Sequence, residues 1–150
     1  MAHNAHRGAS PEAAAEQPWD SREPEPLAEI RNYTDLLVWQ GARALVRRVY
    51  ELSERFPKAE RFGLTQQLRR AAVSVPSNIA EGYGRGSLRD YIRFLQMARG
   101  SLYEMQTQLV LAEDLAFVAG EEVQALRDEA SNGARLLHGL LRSLRKSESV

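Results

Sequence analysis

The sequence predicts an all-α fold: an antiparallel up-down four-helix bundle preceded by a disordered N-terminal tail. Three observations lead there. Apolar residues recur at steps of three and four along four successive segments, no segment keeps the period of two that a strand needs, and the joints are short and carry Gly or Pro. A chain of 150 residues suits a single domain. At that size roughly 70% of the unfolded surface becomes buried, enough for a core without metal or disulfide staples. The expected boundaries are a tail over residues 1–32, a bundle over 33–146 and a disordered C-terminus over 147–150.

The tail is built from Ala, Glu, Pro, Arg and His, and Pro11, Pro18, Pro24 and Pro26 break any helical period. Trp19 is its one large apolar side chain before Leu27, and is read as solvated. Helix one begins after Thr34, with a stripe of Val38, Ala42, Leu45, Val49, Leu52 and Phe56 that Pro57 is expected to end. Helix two follows Leu64, Leu68, Ala71 or Ala72, Val75 and Ile79. Pro76 inside it removes one donor and crowds the carbonyl of Ala72, so a kink is expected, with Ser74, Ser77 and Asn78 available to satisfy the freed carbonyls. Helix three has the longest stripe, from Leu88 through Ile92, Leu95, Ala98, Leu102, Met105, Leu109 and Ala112 to Ala116. Ser87 with Asp90 resembles a capping box at its start, and the glycines of Gly82-Tyr83-Gly84-Arg85-Gly86 can end helix two. Helix four carries Val123, Leu126, Ala130, Leu137, Leu140 or Leu141, and Leu144. Glu121 and Glu122 stand at its positive end, with Arg142, Arg145 and Lys146 at its negative one.

Composition excludes much chemistry. With no cysteine there is no disulfide framework, thiolate zinc site, iron–sulfur cluster or thiol nucleophile. Met1–Ser10 has no apolar run and no stretch nears 18 apolar residues, so neither a signal peptide nor a membrane span is expected, and the default location is the cytoplasm. His3 and His6 fall in the tail and His138 stands alone on helix four. Glu-x-x-His, phosphate-loop, nucleophile-elbow and zinc-protease spacings are all missing, so the expectation is no enzyme, no metal and no cofactor.

The 20 basic and 20 acidic side chains cancel, but unevenly. Met1–Tyr33 is −3, Thr34–Ala42 adds −1 through Asp35, Arg43–Arg99 holds 12 basic against 5 acidic residues for +7, and Gly100–Val150 is −3. A polyanion responds to the local patch rather than to the sum. Arg43 and Arg47, Arg69 and Arg70, and Arg89 and Arg93 are the candidates for a basic strip contacting phosphates; the alternative is a solvated, ion-paired face. Arg85, Arg89 and Arg93 around the glycine loop give a candidate phosphate seat, set against a plain helix–helix joint. The acidic tail is of the sign to lie across the basic faces and compete with a polyanion. Helix one has a second apolar line, Trp39, Val46 and Tyr50, and helix three another, Tyr91, Phe94 and Val110. Either these widen the core or they form a subunit interface, in which case the chain is a homo-oligomer.

Three runs are distinctive: Asp35-Leu36-Leu37-Val38-Trp39-Gln40, Leu68 through Gly82, and Ala98-Arg99-Gly100-Ser101-Leu102-Tyr103-Glu104. Within the second, Arg69, Arg70, Pro76, Ser77, Asn78, Glu81 and Gly82 form the signature. Together the runs closely resemble the four-helix-bundle family of proteins encoded in 23S rRNA intervening sequences, strongly over Tyr33 to Val118 and loosely in helix four. The resemblance implies a homopentamer with a central channel. It also points to a related accessory protein of diversity-generating retroelements, which binds nucleic acid and a reverse transcriptase through a basic surface. RNA or DNA and a partner protein are therefore the expected partners, and no catalytic residues or cofactors come with the family.

Overall fold

The computed structural model describes residues 30–148. The expected tail as far as residue 29, with Trp19, and the last two residues lie outside them. Four helices follow in order: α1, Leu37–Ser53; α2, Leu64–Gly84; α3, Leu88–Asp114; and α4, Gly120–Glu148. Each carries its apolar residues on one stripe, and the stripes meet in one core whose largest fully buried members include Leu45, Leu68, Ile79, Leu95, Leu102, Met105, Leu109, Leu137 and Leu141. Among the described residues there is no strand, and no helix is long and apolar enough to cross a membrane.

The helices run antiparallel in sequence order, and α1 closes the ring against α4. Along α3 and α4, Arg99 meets His138 while Gln106 meets Arg127 and Ser131, so one helix ascends as the other descends. Arg48 with Glu129 and Arg55 with Glu122 show the same opposition between α1 and α4. Ser74 with Ser101 and Gly82 with Phe94 show it between α2 and α3.

The folded unit starts before the expected boundary at residue 33. Asp35 Oδ2 accepts the N–H groups of Arg31 at 3.1 Å and Asn32 at 3.0 Å, while Ile30 and Tyr33 pack on the core. At the other end Ser147 and Glu148 remain helical, past the expected limit of 146. Helix α1 stops at Ser53 rather than at Pro57. Its last turn tightens into short-range bonds, Arg55 N to Leu52 O and Phe56 N to Ser53 O, and Phe56 turns in against Phe117 at 5.7 Å. Glu60, in the short 3-10 turn Lys58–Glu60, then accepts the N–H of Leu64 at 2.9 Å and starts α2.

Helix α2 continues through Pro76 to Gly84. The polar residues around the proline do bond to backbone, but not at Ala72. Asn78 Nδ2 donates to Ser74 O and Ser74 Oγ, both at 2.8 Å, and Ser74 Oγ meets Ser101 Oγ of α3 at 2.9 Å. An i to i+4 reach sets this, because Asn78 lies one turn beyond Ser74. Gly86, with φ of +79°, makes the turn, and Ser87 Oγ accepts Asp90 N at 3.1 Å to open α3.

Helix α3 ends at Asp114, so Ala116 is not the last member of its stripe. Ala116 adopts φ of +59° and is exposed, while Phe117 N reaches back to Ala112 O at 2.9 Å. That is a Schellman stop with alanine where glycine is usual.

Candidate functional site

Two grooves lie side by side between α1 and α2 and share Val73. The first, about 550 Å³, has Tyr50, Phe62 and Val73 as its apolar wall and Arg61, Arg69 and Arg70 as its cations. The second, about 380 Å³, is lined by Tyr33, Trp39, Val46, Val73 and Pro76 with Arg43 at its side. No carboxylate lines either groove. The aromatic floor follows from the sequence: Trp39, Val46 and Tyr50 form the second line of α1, at helical spacing beside its core stripe. Phe62 is 80% exposed in the connection before α2.

The arginines of these grooves are not equivalent. Arg69 is committed to the fold: its Nε donates to Ser53 Oγ at 2.8 Å, its Nη2 pairs with Glu54 at 3.0 Å, and its guanidinium covers the Tyr50 ring at 4.5 Å. It ties the end of α1 to α2, where the last carbonyls lack helical partners. Arg43 lies over Trp39 at 5.7 Å and Arg61 over Phe62 at 5.4 Å, and no carboxylate lines the groove beside either of them. Arg70 is exposed and has no ion-pair partner among the described residues.

The remaining candidates fall elsewhere, so the arginines form separate groups rather than one strip. Arg47 pairs with Glu51 at 3.2 Å. Arg85 and Arg93 converge on Phe94, at 5.0 and 4.7 Å from its ring, and pair with Glu81 at 3.3 Å and Asp90 at 3.5 Å. Arg89 is exposed beside them. The first turn of α3 carries Asp90 and takes its cap from Ser87, which gives it the chemistry of a capped joint rather than a vacant phosphate seat. On the α4 side of α1, Arg48 pairs with the buried Glu129 and Arg55 with Glu122 at 2.6 Å, so that face is neutralised.

The second line of α3 also needs correction. Phe94 is 5% exposed and covers Gly82, so it belongs to the chain's own packing and not to an open apolar face. Tyr91 packs against Tyr83 at 6.0 Å, its hydroxyl is buried without a partner, and burial, aided by Tyr83, pushes it up to about 12. Val110 is half-buried. The exposed apolar side chains of α3 are instead Met97, Tyr103 and Leu111, with Leu115 just beyond its end. Sequence reasoning missed these because they lie off the core stripe at irregular spacing.

It also read His138 as isolated. In the structure Arg99 of α3 reaches His138 Nδ1 at 3.5 Å, and Arg135 shares their pocket. The available signal was the run 130–147, which contains no acidic residue. Among the described residues no group of three His, Asp or Glu side chains is placed to hold a metal ion.

These features define an antiparallel four-helix bundle whose surface grooves combine arginine with aromatic side chains. The chain belongs to the 23S rRNA-intervening sequence protein family, whose profile matches residues 34–139. The signature segment now has physical content: Arg69 ties α1 to α2, Pro76 and Ser77 line the second groove, Asn78 bonds Ser74, Glu81 pairs with Arg85, and Gly82 admits Phe94. The chain is similar to a crystal structure of a protein of unknown function from the S23 ribosomal protein family of Bacteroides thetaiotaomicron VPI-5482. The TM-score is 0.63 at 20% identity, covering 69% of this chain and 97% of that one, which shows a shared fold. No curated protein matches the chain.

Proposed function

We propose that this chain is a non-enzymatic, cytoplasmic, homo-oligomeric bundle, pentameric as the family resemblance implies, that binds structured RNA or other nucleic acid through phosphate contacts. The observation supporting this is the pair of α1–α2 grooves, in which Arg43, Arg61 and Arg70 flank aromatic side chains and no carboxylate intervenes. Arginines that stack on rings are held extended, which lowers the entropy lost when they meet a phosphate. The apolar floor supplies the subunit contact and its rim supplies the charge. Each added subunit repeats that rim, so weak contacts add along one polyanion.

The experiment is purification at low salt with absorbance ratio and light scattering read together, followed by mobility shift with rRNA fragments. Each neutralised phosphate contributes roughly −0.7 to −0.9 to the log–log salt slope, so about two per subunit in a pentamer predicts a slope of roughly −7 to −9. Arg43→Glu with Arg70→Glu should abolish the shift while leaving the oligomer intact. A monomer at micromolar concentration removes the oligomer, and a salt-insensitive or missing shift removes the nucleic acid.

A second reading, a scaffold or accessory subunit for a partner protein, is favoured by the exposed Phe62, Met97, Leu111 and Leu115. It predicts binding that survives high salt and is lost on replacing those residues with Ser or Gln.

A further inference from the structure

The face of the bundle between α3 and α4 carries a second cationic site, unrelated to the α1–α2 grooves. Arg99 and Tyr103 of α3 converge with Ser131, Arg135 and His138 of α4 on a pocket of about 290 Å³. No carboxylate lines it. From Tyr91 to Tyr103 and over residues 130–147 there is no Asp or Glu, and the charged groups one turn from His138 are Arg135 and Arg142. This follows from the antiparallel pairing, which lays the acid-free half of α4 along the acid-free half of α3.

The contact between Arg99 and His138 constrains what can occupy the pocket. A guanidinium has donors only, so its 3.5 Å approach to Nδ1 is a hydrogen bond when the imidazole presents a lone pair there. Arg99 and Arg135 bring two guanidiniums to the same pocket as this imidazole. An anion placed among the three offsets the repulsion between the guanidiniums through charge-assisted hydrogen bonds. Ser131 Oγ accepts from Gln106 Nε2 at 3.1 Å, which leaves its O–H to donate into the pocket, and Tyr103 adds a phenol.

We infer that Arg99, Arg135 and His138, with Ser131 and Tyr103, form an oxyanion site that binds a phosphate group. Its volume lies at the small end of ligand pockets, roughly 300 to 1,000 Å³, which suits a single phosphate group. That phosphate belongs either to a free monoester or to a polynucleotide backbone. The polar groups sharing the pocket with His138 are Arg99 and Tyr103 from α3 and Ser131 and Arg135 from its own helix; none is a carboxylate.

The test is a titration of the full chain with inorganic sulfate and phosphate, followed by nitrogen NMR of the His138 ring. The expected result is a saturable shift of His138. Arg99→Gln or Arg135→Gln should weaken binding roughly tenfold or more, the value of a hydrogen bond to a charged group. His138→Gln should also weaken binding while leaving the urea midpoint unchanged, which separates its role from a purely structural one. Adenosine monophosphate and a single-stranded oligonucleotide then compete with sulfate, and the stronger competitor identifies the source of the phosphate. A His138 resonance that does not move with any of these anions overturns the site. So does a sulfate affinity that Arg99→Gln and Arg135→Gln leave unchanged, whatever the α1–α2 grooves bind.

Discussion

Gly82 of α2 lies directly beneath Phe94 of α3: a Cβ added to Gly82 would stand 2.6 Å from the Phe94 Cβ and 3.3 Å from the Tyr91 ring and carbonyl. The obstacle is a Cβ, fixed to backbone, so it cannot move aside as the end of a long side chain can. Alanine's better helix propensity, about 1 kcal/mol, offsets part of the clash, and Gly82→Ala should still lose roughly 1–2 kcal/mol. Gly100 is the control. It is exposed on α3 with nothing within 4 Å of an added Cβ, so Gly100→Ala should gain up to about 1 kcal/mol. Urea midpoints moving in opposite directions check both.

The helices were legible because a core stripe is a local pattern. Val38 to Phe56, Leu68 to Ile79, Ile92 to Ala112 and Val123 to Leu144 all face the core, with spacing that one turn of helix dictates. What stayed hidden depends on contacts distant in sequence. Arg69 read as a candidate phosphate ligand because its tie to Ser53 and Glu54 crosses a turn, and Phe94 read as an outer residue because only Gly82 on another helix makes room for it. Arg99 and His138 are 39 residues apart, and no periodicity in either helix predicts their meeting.

Arg48 and Glu129 form an asymmetric pair: the carboxylate side chain is 7% exposed and the guanidinium 40%. Removing the exposed partner strands a buried charge, whereas removing the carboxylate leaves a cation that can turn to water. Arg48→Ala should therefore cost roughly 2–3 kcal/mol, below the usual range for fully buried pairs because Arg48 is part-solvated. Glu129→Gln should cost clearly less. Equal losses in denaturant unfolding would contradict this account of the α1–α4 contact.

Ala116 ends α3 with φ of +59°, a conformation that crowds its Cβ against the backbone. Glycine removes that crowding at some cost in unfolded-chain entropy, so Ala116→Gly should stabilise the protein by about 0.5–1 kcal/mol. Ala116→Val should destabilise it, because a β-branched side chain tolerates this region least. Thermal unfolding of the two variants gives the sign directly.

Tyr91 couples the α2–α3 packing to alkaline pH. Burial, with a smaller contribution from Tyr83, raises its hydroxyl from 10.0 to about 12, and no hydrogen bond compensates the buried oxygen. The native state thus holds a proton that the unfolded state releases first. Its contribution to stability is fully present below pH 10, and is lost as pH rises from there to about 12, by at most about 2 kcal/mol. Tyr91→Phe should remove that slope. At neutral pH it should also match or exceed the parent in stability by up to about 1 kcal/mol, since it deletes an unsatisfied buried hydroxyl. The measurement is urea unfolding of both proteins at a series of pH values between neutrality and the upper end of that window. Parallel curves throughout would show that the Tyr91 hydroxyl is solvated in the native protein.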